Sequence, residues 1–302
     1  MRSKIGNVTI NYDIFGGNDP CLDQDVYNKL LEIVKSGKDP EEVLLDETDG
    51  TFLYHLSDIR KNLLSWYPID KDSSVLEIGS ECGALTGLFC DRAKRVVAID
   101  PSKIRSEINA YRNNRDNLEI IVGNINEIKL EEKFDYVTLI SALEYAGTIF
   151  TSANPYAEML KNAADMLKPG GHLIVAIANK YGLKYWAGAK EEQTGILFNG
   201  IQGYASEDRV RTFSRKELTD LISGAGLEDI EFYYPMPDHK MTLEVLSPEY
   251  IKNYHDMHGH TPTYDRDRVV LFNEAKVTES LIRDGMYEDF ANSFLVFAKK
   301  VG

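Results

Sequence analysis

The sequence predicts an α/β protein, with a mostly parallel sheet covered by helices on both faces. Three observations carry that expectation. Short β-rich runs, among them SSVLEIG, RVVAID and LEIIVG, alternate with stretches of helical spacing of about ten to fifteen residues. The runs are near-continuous in apolar residues, the pattern of strands buried on both faces. Two of them end on an acid, Glu77 and Asp100, and the first leads straight into glycines.

Each element follows in order. HLSDIRKNLLSWY (55–67) places Leu56, Ile59, Leu63, Leu64 and Tyr67 at helical spacing and is expected to be one helix. SSVLEIG is a strand ended by glycine, ALTGLFCDRA (84–93) a helix, and RVVAID the next strand. PSKIRSEINAYRN is a helix opened by Pro101, followed by LEIIVG and FDYVTLIS (134–141) as strands. YAEMLKNAADML is an amphipathic helix closed by KPGG, and HLIVAIA is the strand after it. SRKELTDLISGAG is capped by Ser214 and ends on glycine, and LEDIEFYYP and NSFLVFAKK complete the strands. Residues 178–212 and 235–291 do not fit a bare sheet. Connections that long are usually functional lids or small subdomains.

Composition narrows the partners. Acids outnumber bases 48 to 34, for a net charge of −14, and that field repels a phosphate backbone. Nucleic acid is therefore not the expected substrate. The three cysteines form no CxxC pair and read as reduced thiols. The start MRSKIGNVTINYD lacks the apolar core of a secretory leader, and no stretch approaches the roughly 18 apolar residues of a membrane span. A soluble, cytoplasmic protein is expected.

In a parallel sheet, ligands sit at the carboxyl ends of the strands. Glycines there let a ligand approach the backbone, and the following helix offers free N–H groups. A dinucleotide site would show GxGxxG, with its acid only after the second strand. Here the spacing is E-x-G-x-x-x-G, so Glu77 would repel a pyrophosphate but suit an ammonium group. Asp100 is placed to accept both hydroxyls of a ribose. S-adenosylmethionine offers both features.

VLEIGSECG, VVAID, IIVGNI, TLISALEYAG and LKPGGHLIVAI, in that order, resemble the motifs of the class I S-adenosylmethionine-dependent methyltransferases. The resemblance covers about residues 50–234 and the last strand. It implies a Rossmann-like, doubly wound, seven-stranded sheet with an antiparallel last strand. It also implies an N-terminal extension over 1–50 and a methyltransferase domain over 51–302, with insertions at 178–212 and 235–291. S-adenosylmethionine would be the donor and S-adenosylhomocysteine the product. Glu77 would orient the glycine turn near the donor amino group, with Gly79, Ser80, Cys82 and Gly83 passing beside ribose and methionine. Asp100 would take the ribose hydroxyls, Pro101 would lie beside the adenine, and Asn124 and Ile125 at its edge. Ser141 and Ala142 would floor the site beneath the sulfonium, and Arg60 would pair the methionine carboxylate. One residue departs from the pattern: Glu81 stands where the family has its middle glycine. Its side chain either points to solvent or meets the ligand and alters cofactor binding. Cys82 is given no redox role.

A hydroxyl acceptor would benefit from a general base. Glu144 is the first candidate, because ALEY resembles the V-L-E-H of some O-methyltransferases, although Tyr145 replaces the histidine. His55, in YHLSDIR, is the second, either as a base beside Arg60 or as a packing histidine next to an exposed arginine. His239 is the third, as an acid–base pair with Asp238 or as part of a turn without chemistry. Asn179, Lys180, Tyr181, Lys184 and Tyr185 either bind a polar acceptor or form the core of the 178–212 segment together with Trp186. His255, His258 and His260 in HDMHGH lack an acid or cysteine in phase, so they read as a surface helix end and no metal is expected. NKYGLKYWAGAKEEQTG, RTFSRKEL and YYPMPDHK resemble a bacterial methyltransferase group found with glycosyltransferases in surface-polysaccharide assembly. That resemblance implies O-methylation of a sugar or glycan end. The other readings are N- or carboxyl-methylation of a small metabolite, or a catalytically impaired partner protein. The 235–291 segment is a candidate lid or homodimer interface.

Overall fold

The computed structural model describes residues 1–21, 23–252 and 268–302. His255, His258 and His260 lie outside the described residues. The chain forms two compact units. Unit 1 comprises Met1–Leu139 and Met166–His172, and unit 2 comprises Ile140–Asp165 and Leu173–Gly302.

Unit 1 holds β1 (Arg2–Ile5), β2 (Val8–Asn11), β3 (Ser74–Ile78), β4 (Arg95–Asp100), β5 (Leu118–Val122) and β6 (Phe134–Ile140), which leaves the unit at Leu139. They lie side by side in the order β1-β2-β5-β4-β3-β6. Pairing is parallel from β2 to β6 and antiparallel between β1 and β2. All five residues of β3 are buried, as a strand covered on both faces requires. The helices are α1 (Gln24–Ser36), α2 (Pro40–Asp46), α3 (Gly50–Leu56), α4 (Thr86–Arg92) and α5 (Lys103–Arg112). Leu30 and Leu31 of α1, Phe52 and Leu56 of α3, Cys82 and Ile108 form one buried cluster. Each fully buried leucine stabilises the fold by about 2 kcal/mol. The first fifty residues thus share their core with the glycine turn.

Unit 2 holds β7 (Leu167–Ala178), β8 (Leu227–Met236), β9 (Glu244–Leu246) and β10 (Ser293–Lys300), in the order β7-β10-β8-β9, with β7 beginning in unit 1. The last strand, β10, runs antiparallel to β8, and so does β9. Its helices are α6 (Ala146–Ile149), α7 (Pro155–Asp165), α8 (Leu183–Trp186), α9 (Arg215–Gly224), α10 (Pro248–Ile251), α11 (Glu274–Arg283) and α12 (Tyr287–Phe290). Among the described residues no helix is long and apolar enough to cross a membrane.

The fold is the mixed α/β, Rossmann-like one, with three differences from the sequence reading. Among the described residues there are ten strands rather than seven, the additions being β1, β2 and β9. The 55–67 helix is split: α3 ends at Leu56, and a 3₁₀ segment covers Asp58–Leu63. Ser57 stands between them in extended conformation, its hydroxyl accepting from the Ile59 N–H and so competing with the helix ladder. KPGG does not close a helix but lies within β7. A Cβ on Gly171 would meet the Asp135 carbonyl oxygen at 2.9 Å, so this strand entry needs glycine to lie against β6.

Candidate functional site

In unit 1 the glycine turn grows out of the end of β3. Gly79 (φ +79) and Gly83 (φ +75) take left-handed conformations that only glycine adopts freely. The N–H groups of Gly79 and Ser80 donate to the Ile99 carbonyl at 2.9 and 3.0 Å, tying the turn to the end of β4. A Cβ on Gly83 would sit 2.2 Å from Asn109 Oδ1, so the turn can press against α5 only with glycine there. Cys82 is fully buried, and burial pushes its thiol well up, away from thiolate chemistry.

Glu77 is buried, with one resolved partner, the Thr86 hydroxyl, donating to Oε2 at 2.5 Å. Behind it runs a polar relay. Asn109 Nδ2 donates to Thr86 Oγ1 at 3.0 Å, and Asn113 Nδ2 donates both to Asn109 Oδ1 and to the Gly83 carbonyl. Burial pushes the Glu77 carboxyl up to about 8, against the Thr86 bond and Arg60. It is therefore largely protonated at neutral pH.

Asp100 is 1% exposed at the end of β4. Its Oδ1 accepts from the Ser102 N–H at 2.8 Å and from Arg105 Nε at 3.0 Å, and its Oδ2 accepts from the Glu81 N–H at 3.0 Å. A carboxylate oxygen has about two acceptor sites, so Oδ2 retains one for a further donor. Pro101 leads into α5, whose cap is Ser102. The Gly123 N–H donates to the Asp100 carbonyl at 3.0 Å, which brings Asn124 and the buried Ile125 to the same strand edge. Ser80 Oγ is buried and has no hydrogen-bond partner. An orphan hydroxyl in a glycine turn is an open hydrogen-bonding position, and residues of this kind fit a ribose with an amine-bearing tail.

Glu81 overturns the solvent reading. Its side chain turns inward, and Oε2 accepts from the Tyr54 hydroxyl at 3.0 Å. Arg60 is 4% exposed and lies over the Tyr54 ring, 3.9 Å from its centroid, so it is not a surface arginine. His55 is equally buried. Its Nε2 lies 3.2 Å from the Tyr27 hydroxyl, and its ring packs edge-on to Tyr54. Burial lowers its pKa to about 4, so it is a neutral imidazole.

Unit 2 gathers Ser141, Ala142, Glu144 and His239. Ser141 closes β6 at φ +53, its N–H donating to the Ala176 carbonyl. Its Oγ lies 2.9 Å from His239 Nε2. The His239 backbone N–H donates to Ser293 Oγ at 2.8 Å, and Nδ1 is buried with no hydrogen-bond partner. Burial lowers this imidazole too and keeps it neutral. Ala142 is buried beside it in sequence, and Glu144 is buried in a single 3₁₀ turn, its carbonyl accepting from the Arg211 N–H at 3.1 Å.

Asp238 is engaged elsewhere than with its neighbour His239. Its Oδ1 accepts from the N–H groups of Lys240 and Met241, and its Oδ2 lies 3.5 Å from Lys184 Nζ. Lys184 also pairs with Glu192, which binds Lys240 Nζ at 2.5 Å through its other oxygen. Burial opposes ionisation of Lys184, Glu192 and Asp238, but mutual attraction holds the two acids low and the lysine high. Asn179 is fully buried and clamps the Asp289 and Ala291 carbonyls, and Lys180 pairs with Glu217 at 2.5 Å. These groups serve the interior of unit 2. Among the described residues no group of three or more His, Cys, Asp or Glu is placed to hold a metal ion.

The sequence reading passed over Thr86, Asn109 and Asn113. The signal was there, since Asn109 and Asn113 stand four apart on one helix and share its inward side.

A family model described as a methyltransferase domain matches residues 51–231, more than half of the chain. Nodulation protein S of Rhizobium tropici is 26% identical over 125 residues, covering 41% of this chain and 51% of that protein. Malonyl-[acyl-carrier protein] O-methyltransferase of Priestia megaterium is 26% identical over 115 residues, covering 37% and 39%. The chain thus spans about half, or less, of the length of these curated relatives. Among solved structures, a chain of the complex between the Haloferax volcanii Trm112 methyltransferase activator and a methyltransferase superposes with a TM-score of 0.52. It shares 20% identity and covers 84% of this chain and 92% of that one. That likeness bears on the fold, which agrees with the strand order above. With a matched model that runs from α3 into β8 and contains the glycine turn and both strand-end acids, the chain belongs to the methyltransferase-domain family.

Proposed function

We propose that the chain is an S-adenosylmethionine-dependent methyltransferase whose acceptor is a hydroxyl of a sugar or another polar small molecule. The observation that carries the donor half is the glycine turn of unit 1. Two strand-end acids flank it, one with an acceptor site to spare, beside a buried hydroxyl that has no partner. The bound donor supplies a methyl group on a sulfonium, reactive enough to need only an aligned nucleophile. Asp100 Oδ2 would hold a ribose hydroxyl and Ser80 Oγ a polar atom of the ligand. Glu77, protonated when alone, would hold the ammonium group as a carboxylate.

The acceptor half rests on Ser141 and His239. A neutral imidazole 2.9 Å from a serine hydroxyl can take a proton from that hydroxyl, which in turn takes one from an acceptor hydroxyl. Base catalysis supplies about 10²–10⁴-fold in rate, and an imidazole lowered to about 3 is a weak base that belongs at the low end of that range. Of the three candidate bases, His239 has a resolved hydroxyl partner with that geometry, whereas His55 Nε2 is held by a tyrosine. The sugar or glycan reading draws on this pair and on the sequence resemblance of the 178–212 segment.

Calorimetric titration with S-adenosylhomocysteine, with NAD as control, tests the donor. Micromolar binding is expected, and none in folded protein would sink the reading. Donor turnover against a panel of sugars, carboxylates and amines then tests the acceptor. His239→Gln is expected to lower turnover by about 10²-fold with unchanged S-adenosylhomocysteine affinity. Conversion of amines alone would reject the hydroxyl acceptor.

A further inference from the structure

Asp100, the acid read as the ribose holder, has more than half of its carboxylate in use within the chain. An ionised carboxylate offers about two acceptor sites on each oxygen, so holding both hydroxyls of a ribose, one on each oxygen, needs a site open on each. Oδ1 has none. The Ser102 N–H donates to it at 2.8 Å across Pro101, and Arg105 Nε donates to it at 3.0 Å. Arg105 Nη2 lies 3.0 Å from the same oxygen. Oδ2 accepts from the Glu81 N–H at 3.0 Å and keeps one site.

The sequence builds this arrangement locally, in DPSKIR. The Ser102 hydroxyl caps α5 by accepting from the Arg105 N–H, which sets Arg105 in the first turn. From there its side chain turns back onto the strand-end acid. Burial works against the arginine's charge, and Asp100 and Glu81 more than restore it. Burial raises the Asp100 carboxyl, and Arg105 and the Ser102 N–H oppose that. The two form a largely buried pair, and pulling the carboxylate off the guanidinium would strand a charge away from water.

We propose that Arg105 restricts Asp100 to one ribose hydroxyl, so that the site requires one of the two hydroxyls of an adenosyl ligand and tolerates loss of the other. This rests on the donor reading above. The hydroxyl on Oδ2 bonds to a charged acceptor, which makes it one of the stronger kinds of hydrogen bond. The other hydroxyl finds no open site on Oδ1 and is left to neutral groups or water. Arg105 thus acts through Asp100, as a positioning residue that sets specificity. Removing its guanidinium opens a site on Oδ1 and lets the carboxylate take both hydroxyls.

The test is calorimetry on the full chain with S-adenosylhomocysteine and its 2′-deoxy and 3′-deoxy derivatives. In the unaltered protein one deletion should weaken binding about tenfold or more, and the other by less than about threefold. Arg105→Met, which keeps the aliphatic stem, should bring the two losses to within about threefold of each other. A merely structural role would weaken all three ligands alike and leave their ratios as they were. If Arg105→Met is not folded by thermal unfolding, a crystal structure of the unaltered protein with S-adenosylhomocysteine carries the test. One hydroxyl on Oδ2 with Arg105 still on Oδ1 supports the inference, and a hydroxyl on each oxygen overturns it. Equal losses in the unaltered protein, or a gap that Arg105→Met does not narrow, also overturn it and leave the donor reading standing. Folded protein that binds none of the three ligands overturns both.

Discussion

Unit 1 and unit 2 each bury a knot of charge, and they treat it differently. In unit 2, Glu192 and Asp238 face Lys184 and Lys240, and both acids stay ionised. In unit 1, Asp100 is paired with Arg105 and Glu81 accepts from the Tyr54 hydroxyl, but Glu77 is left with a threonine hydroxyl and a pKa of about 8. The first knot is closed. The second holds one acid in reserve, neutral until a cation arrives. A buried acid kept protonated has little value for stability at neutral pH, and it is what a cationic ligand would use. The contrast separates a structural network from a binding one more cleanly than burial does, since Asp238 and Lys184 in one knot are as deeply buried as Glu77 and Asp100 in the other.

Breaking the closed knot should give the largest effect. Lys184→Met removes the cation shared by Glu192 and Asp238 and leaves one lysine for two buried carboxylates. Removing one partner from a buried pair costs about 3–5 kcal/mol, and urea unfolding at pH 7 reads it directly. A loss below about 1 kcal/mol, the worth of a surface pair, would show that water reaches the cluster and that the comparison fails.

The reserve acid gives a smaller effect with a distinctive pH signature. Its folded pKa, about 8, lies above the ordinary 4.5. Its contribution to stability is therefore fully present below pH 4.5 and lost as pH rises through about 8. His55 and His239 run the other way: lowered from 6.5 to about 4 and about 3, they contribute stability above pH 6.5 that is lost as pH falls toward those values. Between pH 6.5 and 8 the Glu77 slope stands clear of them. Glu77→Gln should flatten that slope, and the difference between protein and variant should grow by more than about 1.4 kcal/mol across it, the worth of one pKa unit. Parallel slopes in protein and variant would place the proton elsewhere.

What the sequence made legible follows the same physics. Strands buried on both faces must be apolar at every position, so β3, β4, β5 and the second half of β7 are plain runs. The turn was legible because glycine and acid are the residue types such chemistry demands. The outlying strands were not, being short and half-polar: RSKI, VTIN and EVL. For the first two a signal existed, the Gly6–Asn7 dipeptide between them, which favours a tight hairpin. Asn114 seals it by accepting from the Asn7 N–H at 2.7 Å. Glu81 turned inward because Tyr54, 27 residues earlier in the chain, meets it. Lys184 found Asp238 across an equally non-local contact, and no local pattern announces such pairs.

The smallest effect belongs to a device that was read from sequence and stands free of both knots. Ser214 opens α9 with a reciprocal cap. Its hydroxyl accepts from the Glu217 N–H at 3.3 Å, and Glu217 Oε2 accepts from the Ser214 N–H at 2.8 Å. Ser214→Ala removes the first bond and keeps the second, so it should cost about 1 kcal/mol. Glu217→Ala also strips Lys180, whose side chain is 10% exposed, of its carboxylate, and should cost more. The Glu217 carboxyl is held below its usual range, against burial, by its bonds to Lys180 and the Ser214 N–H, so urea unfolding of Ser214→Ala should return the same decrement at both ends of that window. A Ser214→Ala decrement that tracked pH as the Glu77 slope does would mean that α9 is coupled to the reserve acid, and the separation of the two centres would have to be given up.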